Sequence, residues 1–247
     1  EKDGPIGHIT INRPEVKNAL NLNVFRAFNN VLDMVTIDND VRAVVITGAG
    51  SAFVAGADIN DLLSFDSIEG WSASRFQQSV FNKLENLGRP SIAAINGAGL
   101  GGGLELALSC TFRIASADAR MGFPELGLGI IPAFGGTERL VRTIGHTKAA
   151  ELVLFRSIID GNEACRIGLV NQVVEQNHVK VRAKEWAQNL AALSPVAVRL
   201  ELELLHEISR ELDNGLALES ALGALTVSSK EAKTLLGKFF SKENHKS

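Results

Sequence analysis

From Leu22 to Val35 the apolar residues Leu22, Phe25, Phe28, Leu32 and Val35 recur at intervals of three and four, the period of an amphipathic helix. Ahead of it, residues 6–12 (IGHITIN) are rich in β-branched side chains and read as a strand that ends at the turn signal Asn12-Arg13-Pro14. Residues 42–48 (RAVVITG) form a continuous apolar run closed by glycine, the pattern of a strand covered on both faces in a parallel sheet. Residues 91–96 and 112–116 repeat that signal, and a brief strand is predicted over 169–174. Helices are predicted at about 70–87, 136–144, 147–156, 180–192, 196–209 and 216–239, with a short one opening after the glycines at 97–103. Strand-helix units come first and helices last, which argues for an α/β fold with a parallel sheet and a C-terminal helical region.

Composition narrows the partners. The chain has 247 residues, 45% hydrophobic and 21% charged, enough apolar material for one large core. Its net charge is −3 and no long Lys/Arg stripe occurs, so neither nucleic acid nor an anionic membrane is expected as the principal partner. The stretch from Lys230 to Lys246 is locally basic, which usually means a solvated helix face. No apolar run is long enough to span a bilayer. Cys110 and Cys165 lie in apolar surroundings without metal spacing, so free thiols in a reducing compartment are expected and no metal site is. No signal peptide is legible. The chain starts at Glu1 without Met, so removal of a targeting segment stays open.

The glycines cluster at 97–103 and 122–136. Gly97-x-Gly99-x-x-Gly102 fits the dinucleotide fingerprint, with Asp118 after the next strand, but the helix that follows is too short for the usual crossover. The other use for bare N–H groups at a helix N-terminus is to hold an oxygen bearing negative charge, either a phosphate or a transient oxyanion. Glu105 stands in the first turn of that helix, where a carboxylate can simply complement the helix dipole. Glu125 is the only charged residue between 121 and 137. It is either exposed on a loop tip or held in an apolar pocket, where desolvation raises a carboxyl pKa. Beside glycine-built donors the two glutamates have the makings of an acid/base pair around a polarised carbonyl.

Several short segments then follow one another: Asn12-Arg13-Pro14 with Asn18-Ala19-Leu20, Ala55-Gly56-Ala57-Asp58-Ile59, Asn96-Gly97 with Gly101-Gly102-Gly103-Leu104-Glu105, Pro124-Glu125, and Gly135-Gly136-Thr137 with Arg139-Leu140. In this order they resemble the successive motifs of the enoyl-CoA hydratase/isomerase (crotonase) family, and the likeness covers essentially the whole chain. The resemblance implies an α/β, crotonase-like ββα superhelix over residues 1–190 and a helical trimerisation region over 191–247, in a homotrimer or homohexamer. It implies an acyl-CoA thioester substrate, with no separate cofactor because coenzyme A belongs to the substrate. The backbone N–H groups of Ala57 and Gly102 become the oxyanion hole. Glu105 and Glu125 become the catalytic pair, and since the isomerases commonly keep only the second carboxylate, having both favours hydration.

By the same resemblance the CoA arm lies across Ala57-Asp58-Ile59-Asn60 and the segment from Lys17 to Ala19, with Gly101 at the acyl group. For Asp58 the residue pattern alone favours a helix cap over a catalytic acid. Pro132-Ala133-Phe134 departs from the usual Pro-Gly-Ala, and Ala133, Phe134 and Phe123 are expected to reshape the acyl pocket. The C-terminal Leu236-Gly237-Lys238-Phe239-Phe240 also departs from the family pattern, so the phosphate contact that some relatives make there is not carried over. The expected location is the bacterial cytoplasm, or the mitochondrial matrix if the source is eukaryotic and a transit peptide has been removed.

Overall fold

The computed structural model describes residues 1–209, 220–221, 223–224 and 227–244. A six-stranded sheet is built from β1 (Lys2–Asp3), β2 (Ile6–Ile11), β3 (Ala43–Gly48), β5 (Ser91–Ile95), β7 (Phe112–Ser116) and β9 (Gln172–Val174), in that spatial order. All neighbours pair in parallel except β1 with β2. Three further strands, β4 (Ala52–Val54), β6 (Ala98–Leu100) and β8 (Met121–Gly122), pair in parallel as a second sheet. Each long central strand is thus followed at once by a short one in the other layer. This repeating ββ step, closed by helices, is the ββα superhelix that the motifs imply. Pattern reading alone gave single strands, because Ala98-Gly-Leu100 and Met121-Gly122 are too short to carry an alternation.

Helix α1 (Leu22–Ile37) starts where Asn21 accepts a bond from the Val24 N–H, and it buries Phe25, Phe28, Leu32 and Val35. It packs beside α3 (Ser67–Glu85), which Asp66 and Glu69 open with a reciprocal capping box. The opposite face of the sheet is covered by α7 (Val179–Ala191). Its residues Val179, Ala183 and Ala187, four apart, lie on Ile6, Val45, Ile92 and Ile114. The side chains on that stripe of α7 are small, so the helix backbone sits close to the β-branched strand surface.

Between these lie α2 (Ile59–Ser64), α4 (Gly102–Leu108), α5 (Gly136–Leu154) and α6 (Gly161–Arg166). Helix α5 breaks its geometry at Gly145, with φ +76°, where the sequence predicts the boundary between two helices. Then come α8 (Pro195–Ser209) and α9 (Lys230–Asn244). The single helix predicted over 216–239 is interrupted by a bend at Ser229, and its apolar residues Leu216, Leu218, Leu222 and Leu225 lie outside the described residues. Among the described residues no helix is long and apolar enough to cross a membrane.

Candidate active site at the carboxyl ends of the strands

Ligands in parallel α/β sheets bind beyond the carboxyl ends of the strands. The segments that leave β3 and β5 there carry the motif residues. After β4 the chain Ala55–Asp58 runs beside the segment 17–20: the Ala55 N–H donates to the Lys17 carbonyl at 3.0 Å, Leu20 to Gly56 at 2.9 Å, and Asp58 to Leu20 at 2.8 Å. Asn18, fully buried with φ +62°, fixes the turn by donating to the carbonyls of Ala49 and Ala52 and accepting from the Arg13 N–H. Asn96 does the same for the adjacent chain, donating to the carbonyls of Gly48 and Gly50. The two asparagines thus grip one turn, residues 48–52, which leads from β3 into β4 and on to the Ala57 loop.

Each of the three consecutive glycines at that start has its own reason. Gly101 has φ +50°, and a Cβ there would lie 2.3 Å from Glu125 Oε1. At Gly102 a Cβ would lie 2.8 Å from the Phe134 ring and 3.4 Å from the Ala57 nitrogen. At Gly103 it would meet the Val54 carbonyl oxygen at 2.0 Å, because α4 is pressed onto β4. The run therefore brings the amides of Ala57 and Gly102 together beside an open space. Neither N–H is used in a hydrogen bond to another described residue.

That space is a narrow cavity of about 40 Å³ lined by Ala57, Gly102, Glu105, Glu125, Ala133 and Phe134, with Leu62, Phe65 and Val227 at its far side. Glu105 is 1% exposed, which excludes a solvent-facing role for it at the helix N-terminus. Its Oε1 accepts from the N–H groups of Phe134 and Gly136, both at 2.8 Å. Glu125, 9% exposed, opens a short 3₁₀ turn that ends at Gly129 in the left-handed region. Helix α9 packs on that turn through Ala232 and Leu235, and its Lys233 donates to the carbonyls of Leu62, Leu63 and Phe65 at the end of α2. One helix therefore holds two walls of the cavity. Phe25, Phe81 and Phe134 stack edge-on or tilted behind it, with centroids 5.2 to 6.2 Å apart.

Other predicted residues fall around this centre. Asp58 caps α2 through Asn60 and pairs with Arg13 at 3.1 Å, so it serves the loop rather than the cavity. Lys17 and Asn60 are exposed and Ala19 and Ile59 half-buried on the outer side of the same loop, where a long ligand arm would run. Phe123 is the exception. It is fully buried in the main core and does not line the cavity, because it follows directly on β8, which packs inward against β6. Asp118, the acid of the dinucleotide reading, is exposed, and Gly97 is explained by packing, since a Cβ there would lie 2.0 Å from the Ser51 carbonyl oxygen. A larger cleft of about 550 Å³, lined by Thr36, Arg42, Arg89 and Arg199, lies where the strands begin and contains none of the motif residues.

The family model described as enoyl-CoA hydratase/isomerase matches residues 1–246. The chain belongs to the enoyl-CoA hydratase/isomerase family. It is 43% identical over 244 residues to the short-chain-enoyl-CoA hydratase of Clostridium acetobutylicum, covering 98% of this chain and 94% of that protein. It is 37% identical over the same length, with the same coverage, to the crotonyl-CoA hydratase of Syntrophomonas wolfei. The crystal structure of an enoyl-CoA hydratase from Bacillus anthracis superposes with a TM-score of 0.81 at 33% identity, over 98% of this chain and 95% of that one. The family assignment replaces the dinucleotide reading of the glycine run.

Sequence reasoning missed the residues that hold the site rather than line it: Asn18, Asn96, Arg13, Lys233 and the pair Arg139–Glu85. The two asparagines, Arg13 and Arg139 stand inside the motifs above without a role given to them; for the asparagines the signal is the residue type itself, an amide able to serve several carbonyls at a turn.

Proposed function

We propose that this chain is an enoyl-CoA hydratase, adding water reversibly across the double bond of a short trans-2-enoyl-CoA. One observation carries this reading: two buried glutamates line one small cavity that Ala57 and Gly102, whose backbones adjoin, line as well. The thioester carbonyl accepts from the N–H groups of Ala57 and Gly102, which stabilise the negative charge as it develops on oxygen; each such donor is typically worth about 3–4 kcal/mol of barrier. The water oxygen forms its bond to Cβ while Glu105 takes a water proton. The π electrons move onto the carbonyl oxygen and return to form the Cα–H bond as Glu125 delivers a proton to Cα, so that one hydroxyl and one hydrogen are added in all. Two N–H bonds, from Phe134 and Gly136, fix the position of Glu105 Oε1. The partition of protons between the two carboxylates belongs to the pair.

Leu62, Phe65 and Val227 give the cavity an apolar surface for a short acyl group. The names of the Clostridium and Syntrophomonas relatives agree with that length. Assembly as a homotrimer or homohexamer belongs to the same reading, supported by Val196, Leu200 and Leu204, which lie exposed at four-residue spacing along α8. The deciding assay follows loss of the conjugated enoyl absorbance of crotonyl-CoA, alongside a ten-carbon enoyl-CoA and a 3-enoyl-CoA. Hydration of the four-carbon substrate with a higher kcat/KM than the ten-carbon one is expected. Movement of the 3-enoyl double bond without any hydration would overturn the reading in favour of an isomerase.

A further inference from the structure

Glu105 is held by two amides of the segment 133–136, and that segment is itself held. Arg139, in the first turn of α5 and 1% exposed, donates through Nη1 to the Phe134 carbonyl at 3.2 Å. The same Phe134 donates its N–H to Glu105. The Arg139 guanidinium is oriented by Glu85 at the C-terminal end of α3, which accepts from Nε at 3.0 Å and from Nη2 at 2.8 Å, while Asn82 accepts a further bond from Nη2. Glu85 also accepts from Arg142 at 2.9 Å through its other oxygen. Neither Arg139 nor Glu85 lines the cavity.

We infer that Arg139 and Glu85 are positioning residues for the hydration step, a clamp that fixes the 133–136 peptides so that both N–H groups meet Glu105 Oε1. The inference rests on the hydratase reading for its kinetic consequence, but the clamp itself is a property of the fold. A planar guanidinium gripped by one carboxylate oxygen and an amide has little freedom to rotate. Its remaining nitrogen then sets the tilt of the Phe134 peptide. With the clamp loose, the amides drift from Glu105, and the carboxylate loses the bonds that fix its place beside the reacting water. The charged groups around this segment are Glu85 on α3, Glu138, Arg139 and Arg142 on α5, and Glu125 across the cavity. Besides Glu105, two side chains among the described residues bond the segment's backbone: Arg139 at the Phe134 carbonyl, and the neutral Gln78 of α3, whose Nε2 donates to the Ala133 carbonyl at 3.1 Å.

Arg139→Lys and Glu85→Gln test this, the second keeping an oxygen acceptor in case the first folds poorly. The expected kinetic result is a fall in kcat of about 10- to 100-fold with KM within about threefold, since small misplacements of a reacting group cost that much. The fall in kcat is taken per folded enzyme, with the folded fraction read from a thermal melt. Amide hydrogen exchange over 133–137 reads the clamp without substrate and should become about tenfold faster in Glu85→Gln than in wild type, while the strand 43–48 stays protected. Unchanged exchange over 133–137 overturns the clamp whatever the activity. Faster exchange with kcat per folded enzyme unmoved overturns its role in positioning Glu105. A wild-type protein that does not hydrate crotonyl-CoA refutes the functional reading, and the exchange result then judges the clamp alone.

Discussion

Gly136→Ala separates the geometry of Glu105 from its mere presence. Gly136 is the first residue of α5, and a methyl group built there lies 2.5 Å from Glu105 Cγ, 2.8 Å from Oε1 and 3.0 Å from Cδ. Glu105 is 1% exposed, so its side chain cannot swing into solvent to escape. Restoring ordinary contact near 3.4 Å displaces Cγ by about 0.9 Å, which breaks the 2.8 Å bonds from Phe134 and Gly136. A shift of about 1 Å at a reacting group costs about 10²-fold in rate, or ~2.7 kcal/mol of barrier. Stability changes less. Alanine is the better helix former by up to ~1 kcal/mol, and overpacking costs about 1–3 kcal/mol, so the net loss stays within roughly 2 kcal/mol. For a chain of this size that lowers Tm by less than about 8 °C. Steady-state hydration of crotonyl-CoA and a thermal melt, with Gly237→Ala on the open face of α9 as control, make the measurement; a methyl at Gly237 meets nothing within 4 Å. A Gly136→Ala enzyme that keeps kcat within about threefold of wild type would refute the view that the 133–136 segment seats Glu105.

Three further outcomes follow from the same contacts. Gly101→Ala should lose kcat at least as severely, because its methyl lies 2.3 Å from Glu125 Oε1 and φ is +50°, and unlike Gly136→Ala it should also pay a backbone cost of about 1–2 kcal/mol in a melt. Burial pushes the Cys110 thiol up to about 12, so a thiol reagent at pH 8 should titrate no more than one group, Cys165, until denaturant is added; two fast groups in the native protein would contradict this. Because folded Cys110 keeps its proton above the ordinary value of 9.0, the native state binds the extra proton between there and about 12, and stability falls as pH rises through that window. Cys110→Ala should flatten that slope by up to about 1.4 kcal/mol per pH unit, read from urea melts at pH 9 to 11. Lys233→Met releases the carbonyls of Leu62, Leu63 and Phe65 at the end of α2 and should cost about 1 kcal/mol in urea unfolding, with no loss expected in a variant of the exposed Lys238.

The long buried strands and α1 were legible because their apolar runs are longer than any turn signal within them. The break at Gly145 was legible because glycine stands alone between two helical periods. The second sheet was not: three of its strands are two or three residues long, and they exist because backbone from neighbouring units supplies their partners. Of the site, the glycine run and both glutamates stood out because glycine next to a carboxylate in an apolar stretch has few bland uses. Phe123 was misplaced because one residue of an extended segment decides which side a ring faces, and composition carries no such register. Arg139 and Glu85 were beyond reach for another reason. Their partnership spans 54 residues and depends on the C-terminal end of α3 meeting the first turns of α5, which no local pattern records.

The central claim is that Glu105 and Glu125 together add water to an enoyl thioester in one cavity. Its most direct measurement is the rate of crotonyl-CoA hydration by wild type, Glu105→Gln and Glu125→Gln, each verified as folded by its melt. The account predicts an active wild type and a loss of at least about 10²-fold in each variant, with KM changed far less. Hydration that persists near the wild-type rate in both variants would contradict it.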